Sequence, residues 1–187
     1  MIIRQAHAHD LDTIVDLRAE RAAWLAVQGS DQWSDAGLDH DTFRQRVADS
    51  IAASETWMAI GPDGTALGTI AIDHHADSGL WSDTETAAAV IVHRMITRLA
   101  SAGQGIGKAL LDPANQIARA QGRGWVRLDA WTTNTGLHQL YCSHGFRHVR
   151  TVHGHISPSA ALFERSSGAN QSATPGEHPP LNKQPSR

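Results

Sequence analysis

The sequence predicts one mixed α/β domain in which helices flank a central sheet. Two strand patterns separated by turn residues, 56–60 and 66–73, indicate an antiparallel hairpin. A run of small and β-branched apolar residues from 87 to 97 is typical of a buried central strand. That run continues through a glycine-rich segment, 102–107, into residues with helical spacing. These observations favour a mixed sheet of about six to seven strands.

The N-terminal part of the chain supplies one strand and two helices before the hairpin. Ile2 and Ile3 begin a short strand. Apolar residues then recur at helical spacing between 11 and 25, and Asp10 is placed to cap this first helix. A second helix is predicted from about 39 to 53.

The C-terminal part is predicted to complete the sheet. A helix continues from 106 to 118, and Pro113 should kink it because proline lacks a backbone donor. A strand at 125–131 and a helix at 137–144 follow. Two last strands, 147–153 and 160–164, are expected to be antiparallel and edge-like because of their polar content.

The segment after the last strand differs in composition. Residues 166–187 contain Ser, Gly, Asn, Gln and Pro but almost no apolar residues. Burial of this segment could not offset the entropy lost on ordering it. We therefore expect a domain of residues 1–165 and a disordered tail of residues 166–187.

Composition excludes several classes of protein. The 187 residues suit one domain, and a formal net charge of −3 without a basic run gives no sign of a nucleic-acid or membrane surface. No apolar run approaches the roughly 20 residues of a spanning helix. A single cysteine, Cys142, excludes an internal disulfide and suits a reducing cytoplasm, and we expect a buried thiol. The histidines lack the partner spacing of a metal site, so no metal is predicted.

The glycine-rich segment carries the clearest chemical signal. Gly103, Gly105 and Gly107 precede a helix, so free backbone N–H groups and the positive helix end could face one anionic group. Lys108 breaks the dinucleotide-binding spacing, and Ala109 breaks the nucleotide-triphosphate loop pattern. A pyrophosphate-binding loop of another kind remains, beside the simpler interpretation of a tight turn that begins a helix.

Three motifs with consistent spacing, from about 90 to 152, resemble the GNAT superfamily of acyl-CoA-dependent N-acyltransferases. The glycine loop is the first, although Ala102 stands where the family usually has Arg or Gln. The second is Asn134 followed seven residues later by Tyr141, and the third is the pair Gly145 and Phe146. The N-terminal half of the chain matches the family only in the order of its predicted helices and strands.

The resemblance implies a GNAT fold and a site for acetyl-CoA. Backbone groups at the end of the central strand would bind pantetheine and orient the thioester carbonyl, while loop amides would hold the pyrophosphate. Asn134 would hydrogen-bond pantetheine, and Tyr141 would protonate the leaving thiolate as a general acid. Because Ala102 supplies no side-chain donor, either the backbone amides would bind the phosphates alone with lower affinity, or Arg98 or Lys108 would supply the charge. The implied cofactor-binding residues are Met95, Ile96, Thr97, Gln104, Gly105, Gly107, Lys108 and Asn134.

The general base and the acceptor site are less directly indicated. His93 is the candidate base, because it lies on the central strand and its intrinsic pKa suits proton transfer, although a packed histidine with satisfied hydrogen bonds fits equally. Strand alternation predicts that Arg94 points to the opposite face. Trp24, Trp33 and Trp131 are candidate walls of the acceptor site, with core packing as the alternative.

The resemblance therefore implies an enzyme that transfers an acetyl group from acetyl-CoA to a primary amine of a small molecule. One alternative is the same fold with another acyl donor: a longer acyl-CoA, a carrier-protein thioester or an aminoacyl-tRNA. Apart from that tRNA, no nucleic-acid partner is expected. A second alternative is a non-catalytic CoA-binding module, and a homodimer stays open because nothing in the sequence identifies an interface.

Overall fold

The computed structural model describes residues 1–33 and 39–168. Its strands are β1 (Ile2–Gln5), β2 (Thr56–Ile60), β3 (Ala66–Asp73), β4 (Ala89–Thr97), β5 (Trp125–Ala130), β6 (Arg147–Thr151) and β7 (Ala161–Ser166). They form one sheet in the order β1-β2-β3-β4-β5-β7-β6. Every neighbouring pair is antiparallel except β4 and β5, which are parallel. The predicted mixed sheet is confirmed.

Helices cover both faces of this sheet. They are α1 (Leu11–Val27), α2 (His40–Ala52), α3 (Asp83–Ala87), α4 (Ile106–Leu110), α5 (Asp112–Ala120) and α6 (Thr135–Ser143). Phe43 and Val47 of α2 pack with α1 and with Met58 of β2 in one apolar cluster. Leu110 of α4 and Ala118 of α5 belong to a second cluster, on the other face of the sheet.

Capping residues and Pro113 explain where several of these helices begin. Asp39 caps α2, its Oδ1 accepting from the Thr42 amide at 2.9 Å. Pro113 divides the predicted helix of 106–118 into α4 and α5, because it lies at the start of α5, where the missing donor is tolerated. The sequence analysis missed α3, which is only five residues long and follows the capping box of Ser82 and Glu85.

The end of the chain required two corrections. β7 is not an edge strand: it lies between β5 and β6, and its polar residue Glu164 is buried because it pairs with Arg127 of β5. β7 also runs to Ser166, and the buried Ser167 donates a 2.7 Å hydrogen bond to the carbonyl of Arg123, so the ordered part extends beyond residue 165. The predicted tail from 169 onward lies outside the described residues.

The middle of the sheet contains two irregularities, both in β4. β4 pairs with β5 only from Ala89 to Val92, so the two parallel strands separate over the last five residues of β4. β4 also contains a bulge, since its register against β3 shifts between His93 and Ile96. Within the bulge Arg94 has a φ of 49°, a left-handed conformation that is rare for a residue with a side chain.

Candidate active site

A cavity of about 630 Å³ opens where β4 and β5 separate. Its floor comes from the ends of these two strands, and its walls come from α1, α2, α6 and the segment between β6 and β7. The titratable and charged side chains that line it are Arg18, Asp39, Arg46, Asp77, His93, Arg94, Asp129 and Tyr141. The structure thus brings His93 and Tyr141, the two candidate catalytic residues, to one cavity.

His93 is held by two hydrogen bonds on the same ring nitrogen. Its Nε2 lies 3.1 Å from Asp73 Oδ1 and 2.9 Å from the carbonyl oxygen of His75. Both partners are acceptors, so Nε2 carries the hydrogen and Nδ1 carries the lone pair of the neutral ring. Burial alone would lower the pKa of His93, but the hydrogen bond and charge of Asp73 raise it above its usual value. An imidazole oriented in this way can accept a proton at Nδ1.

Asp129 is a partly buried carboxyl group that the sequence analysis missed. Because Val92 pairs with Leu128 in the parallel register, Asp129 lies beside His93 at the point where the strands separate. Burial raises the pKa of Asp129 to about 6, against the opposing effect of His93. A sequence signal existed: a carboxylate near the end of a mostly apolar strand is costly to remove from water and suggests a specific role.

Tyr141 reaches the cavity from α6. Its ring packs against those of Phe146 and Phe163, with centroids 5.7 and 6.0 Å away. Burial raises the pKa of the phenol, and the carboxyl group of Asp129 raises it further. The hydroxyl group therefore keeps its proton at neutral pH.

Arg94 lines the same cavity as His93, so the prediction that they face opposite sides was wrong. The bulge is the physical reason, since two residues of β4 stand where β3 has one and the alternation of faces is broken. Burial lowers the pKa of the Arg94 guanidinium, while Asp73 raises it and Arg46 lowers it.

The glycine loop provides an open turn followed by the start of α4. Gly105 is the N-cap residue, with a φ of 75°, and no atom lies within 4 Å of the position that a Cβ would occupy there. Gly105, Gly107 and Lys108 lie where helix amides have no acceptor within the helix. Gln104 differs from them, because its amide donates to the carbonyl of Ser101 at 3.3 Å.

The end of β4 is only partly open. Met95 and Ile96 line the cavity, and the side chain of Ile96 is also buried against α1 and α2. The carbonyl oxygen of Thr97 accepts a 2.5 Å hydrogen bond from Arg21 of α1. Arg98 donates to the carbonyl of Ala66 at 2.6 Å, which leaves Lys108 as the more exposed of the two candidate cations near the loop.

Asn134 works as the cap of α6. Its Oδ1 accepts from the amide of Leu137 at 2.9 Å, and its Nδ2 donates to Gln32 Oε1 at 2.6 Å. The second bond ties α6 to the segment after α1. Asn134 therefore has one side-chain N–H and one acceptor lone pair remaining.

The three candidate tryptophans do not share one site. Trp33 and Trp131 line the 630 Å³ cavity, and Trp131 Nε1 donates to Asp31 at 2.9 Å. Trp24 instead lines a second cavity of about 340 Å³, which is formed by the end of α1 and residues 133–136. The prediction that Trp24 borders the same site as Trp33 was wrong, because Trp24 lies near the C-terminal end of α1 and is exposed there.

Other sequence-based expectations concern groups outside the cavity. Cys142 is exposed, so the expectation of a buried thiol was wrong: it lies on the outer face of α6, next to the inward-facing Tyr141. Within residues 1–33 and 39–168, no group of three or more His, Cys, Asp or Glu side chains is arranged to hold a metal ion. Nor does any helix in those ranges have the length and apolar character needed to cross a bilayer.

Comparisons with known proteins agree with this geometry. A family model for the acetyltransferase (GNAT) domain matches residues 52–148. A Bacillus subtilis protein described as the uncharacterized N-acetyltransferase YesJ is 26% identical over 158 residues, covering 83% of this chain and 84% of the relative.

Two solved structures show the same fold. PaiA N-acetyltransferase from Thermoplasma acidophilum, solved in complex with coenzyme A, has a TM-score of 0.69 at 20% identity, covering 88% of this chain and 98% of that one. A GNAT-family acetyltransferase from Listeria monocytogenes has a TM-score of 0.66 at 24% identity, with coverages of 88% and 94%.

Proposed function

The chain belongs to the GNAT family of acetyltransferases, and on that premise we propose that it transfers an acetyl group from acetyl-CoA directly to a primary amine of a small molecule. The observation that carries this proposal is the single cavity, at the fork of β4 and β5, into which both His93 and Tyr141 reach. A base and an acid on the same cavity are what a direct transfer between two bound reactants requires.

The residues present fit an acyl-CoA. The open turn at Gly105 leaves space for a pyrophosphate, and the amides of Gly105, Gly107 and Lys108 would hold it, with Gln104 contributing least because its amide is already bonded. The strand end Met95, Ile96 and Thr97 would hold the pantetheine arm, with Asn134 offering its remaining lone pair. When bound, acetyl-CoA supplies an acetyl group activated as a thioester.

Proton movements are assigned to His93 and Tyr141. His93 Nδ1 would take a proton from the acceptor ammonium, since Nε2 is fixed as a donor by Asp73. Tyr141 Oη would donate its hydrogen toward the leaving sulfur. A thiol has a pKa of about 8.5, and burial holds the pKa of Tyr141 above its usual value, so donation begins as a hydrogen bond that stabilises the thiolate.

Calorimetry with acetyl-CoA tests the donor half of this proposal. We expect micromolar binding by the wild-type protein, as is usual for metabolic enzymes, and loss of binding in Gly105→Trp, whose side chain would fill the loop. Gly122→Trp is the matched control, because Gly122 also has a positive φ of 67° and open space but lies between α5 and β5. If neither the wild type nor the control binds acetyl-CoA, the donor must be another acyl carrier.

Release of free thiol tests the transfer itself. A panel of primary amines is offered with acetyl-CoA, and Tyr141→Phe should retain acetyl-CoA affinity while losing about a hundredfold or more in kcat, the usual contribution of a general acid. Acetyl-CoA binding without thiol release from any amine would contradict the proposed transfer and favour a binding module.

A further inference from the structure

The charges around the cavity favour a particular class of acceptor. We propose that the acceptor is an amine that also carries an anionic group, with Asp129 binding its ammonium end and Arg94 its anionic end. This inference rests on the proposed function, because it describes the second substrate of the same site.

Arg94 has an unusual backbone conformation and a guanidinium without a hydrogen-bond partner among the described residues. Its backbone is held at a φ of 49° inside the bulge of β4, a conformation that costs free energy in a residue with a side chain. Arg94 is partly buried and lines the cavity wall. Among the described residues, no carboxylate or carbonyl group is hydrogen bonded to it. The charges of Asp73 and Glu55 act on Arg94 without a hydrogen bond, so its N–H donors remain for an anionic guest.

Asp129 is the second, independent line of support. Its carboxyl group is partly buried where β4 and β5 separate, and its only hydrogen bond within the described chain is to its own backbone. The other carboxylates on the cavity wall differ, since Asp39 is used to cap α2 and Asp77 is exposed. Asp129 is therefore the group that a buried ammonium would neutralise, beside the His93 ring that would take its proton.

Asp129 and Arg94 line one cavity and are influenced by different sets of charges, with Asp73 common to both. The charges that act on Asp129 are those of His93, Asp77 and Asp73, and no arginine is among them. Arg94 instead acts together with Arg46 of α2, which lines the same wall. A simple alkylamine would satisfy Asp129 and leave Arg94 without a hydrogen-bonded anion. A zwitterionic amine satisfies both ends.

Arg18 adds to the positive wall in a different way. Its guanidinium lies over the rings of Phe43 and Trp33, 4.5 and 5.7 Å from their centroids, and it also lines the cavity. Stacking on two rings fixes the plane of the guanidinium and keeps its positive charge at this wall. The wall formed by α1, α2 and the bulge is therefore suited to a carboxylate or another oxyanion.

Matched acceptors provide the test. A series of α- and ω-amino carboxylates is compared with the corresponding amides and with alkylamines of the same length, using thiol release in the presence of acetyl-CoA. We expect kcat/KM to be about tenfold to a hundredfold higher for the carboxylates, the range expected for one charged hydrogen bond. Arg94→Gln should remove this preference through KM, and Arg94→Lys should restore part of it.

Two further variants control the interpretation. Asp129→Asn should raise KM for every amine, with or without a carboxylate. Arg44→Gln should change nothing, because Arg44 lies on the same helix as Arg46 but pairs with Asp12 at the surface. Binding of the amino carboxylates is measured separately by calorimetry without any acyl donor, in the wild type and in Arg94→Gln.

The possible results separate the two proposals. Equal turnover of carboxylates, amides and alkylamines would overturn the inference and leave the acetyltransferase function standing. Amino carboxylates that bind through Arg94 but release no thiol would support the inference and contradict the function. If the amino carboxylates neither bind nor react, the inference is wrong.

Discussion

Asp73→Asn is the sharpest test of the chemistry assigned to His93. Asp73 Oδ1 lies 3.1 Å from His93 Nε2, and both side chains are largely buried. Burial lowers the pKa of His93, yet the hydrogen bond and charge of Asp73 more than offset it. The same pairing holds the pKa of Asp73 below its usual value although burial raises it. The two shifts agree, since each favours the charged pair.

The size of the effect follows from this contact. A hydrogen bond between charged groups contributes about 1.5–3 kcal/mol. Asparagine keeps a neutral hydrogen bond of about 0.5–1.5 kcal/mol, so at about 1.4 kcal/mol for each pH unit the pKa of His93 falls by about one pH unit. The carbonyl oxygen of the substituted asparagine can still accept from Nε2, so the ring keeps its orientation and only the charge is lost.

The assay is the pH dependence of kcat/KM, together with an NMR titration of the His93 ring. A base must be deprotonated to act, so activity rises with pH through its pKa. When that pKa falls, the acid limb moves to lower pH by the same amount. Ionisation of the acceptor amine also changes kcat/KM with pH, but it does so equally for the wild type and for Asp73→Asn. The difference between the two pH profiles therefore reports on His93.

Asp63→Asn is the control, because Asp63 makes a comparable pair of hydrogen bonds to Thr65 in the exposed turn between β2 and β3. Its pH profile should match that of the wild type. If the NMR titration shows the pKa of His93 falling while the limb stays in place, His93 is not the base. Asp129, whose pKa is raised to about 6, would then be the group to test next.

Two predictions concern stability. Glu164→Gln leaves the buried guanidinium of Arg127 without its charged partner at 2.8 Å, so urea unfolding should show a loss of about 3–5 kcal/mol; a loss under about 1 kcal/mol would contradict this. Gly68→Ala would place a Cβ 2.6 Å from the carbonyl oxygen of Ile96, forcing β3 and β4 apart. Both stability and acetyl-CoA affinity should fall, whereas Gly124→Ala, with no atom within 4 Å, should leave both unchanged.

Local patterns were sufficient to predict most of the fold. Both strands of the hairpin, 56–60 and 66–73, were predicted with the bounds that the structure shows, because alternating apolar residues and a Pro-Asp-Gly turn act over short distances. The interior position of β7 in the sheet could not be predicted from local patterns. Glu164 makes that strand look like an exposed edge, and only the partner Arg127, 37 residues earlier, explains its burial.

Site residues that belong to a local motif or to a recognisable strand were predicted, whereas residues that come together only through strand pairing were not. Tyr141 and His93 were found from motif spacing and strand position, and they do line one cavity. Asp73 and Asp129 were missed, since each becomes significant only when its strand is placed beside His93. Trp24 was assigned to the wrong cavity because helical spacing predicts which face a residue occupies but not what lies opposite that face.

The bulge and the fork are best understood as one structural device. A bulge adds a residue to β4 and increases its local twist, which turns the strand away from β5 just after their last pair at Val92. Past that point the edge of β4 that faces β5 has no partner strand, and Arg21 occupies the carbonyl of Thr97 at its end. The same extra residue breaks the alternation that would otherwise send Arg94 to the other face from His93. Because side-chain direction has a period of two, removing one residue there would reverse every later side chain of β4. The proposed donor channel and the proposed acceptor wall therefore depend on the same backbone irregularity, and we expect removal of the extra residue to abolish both.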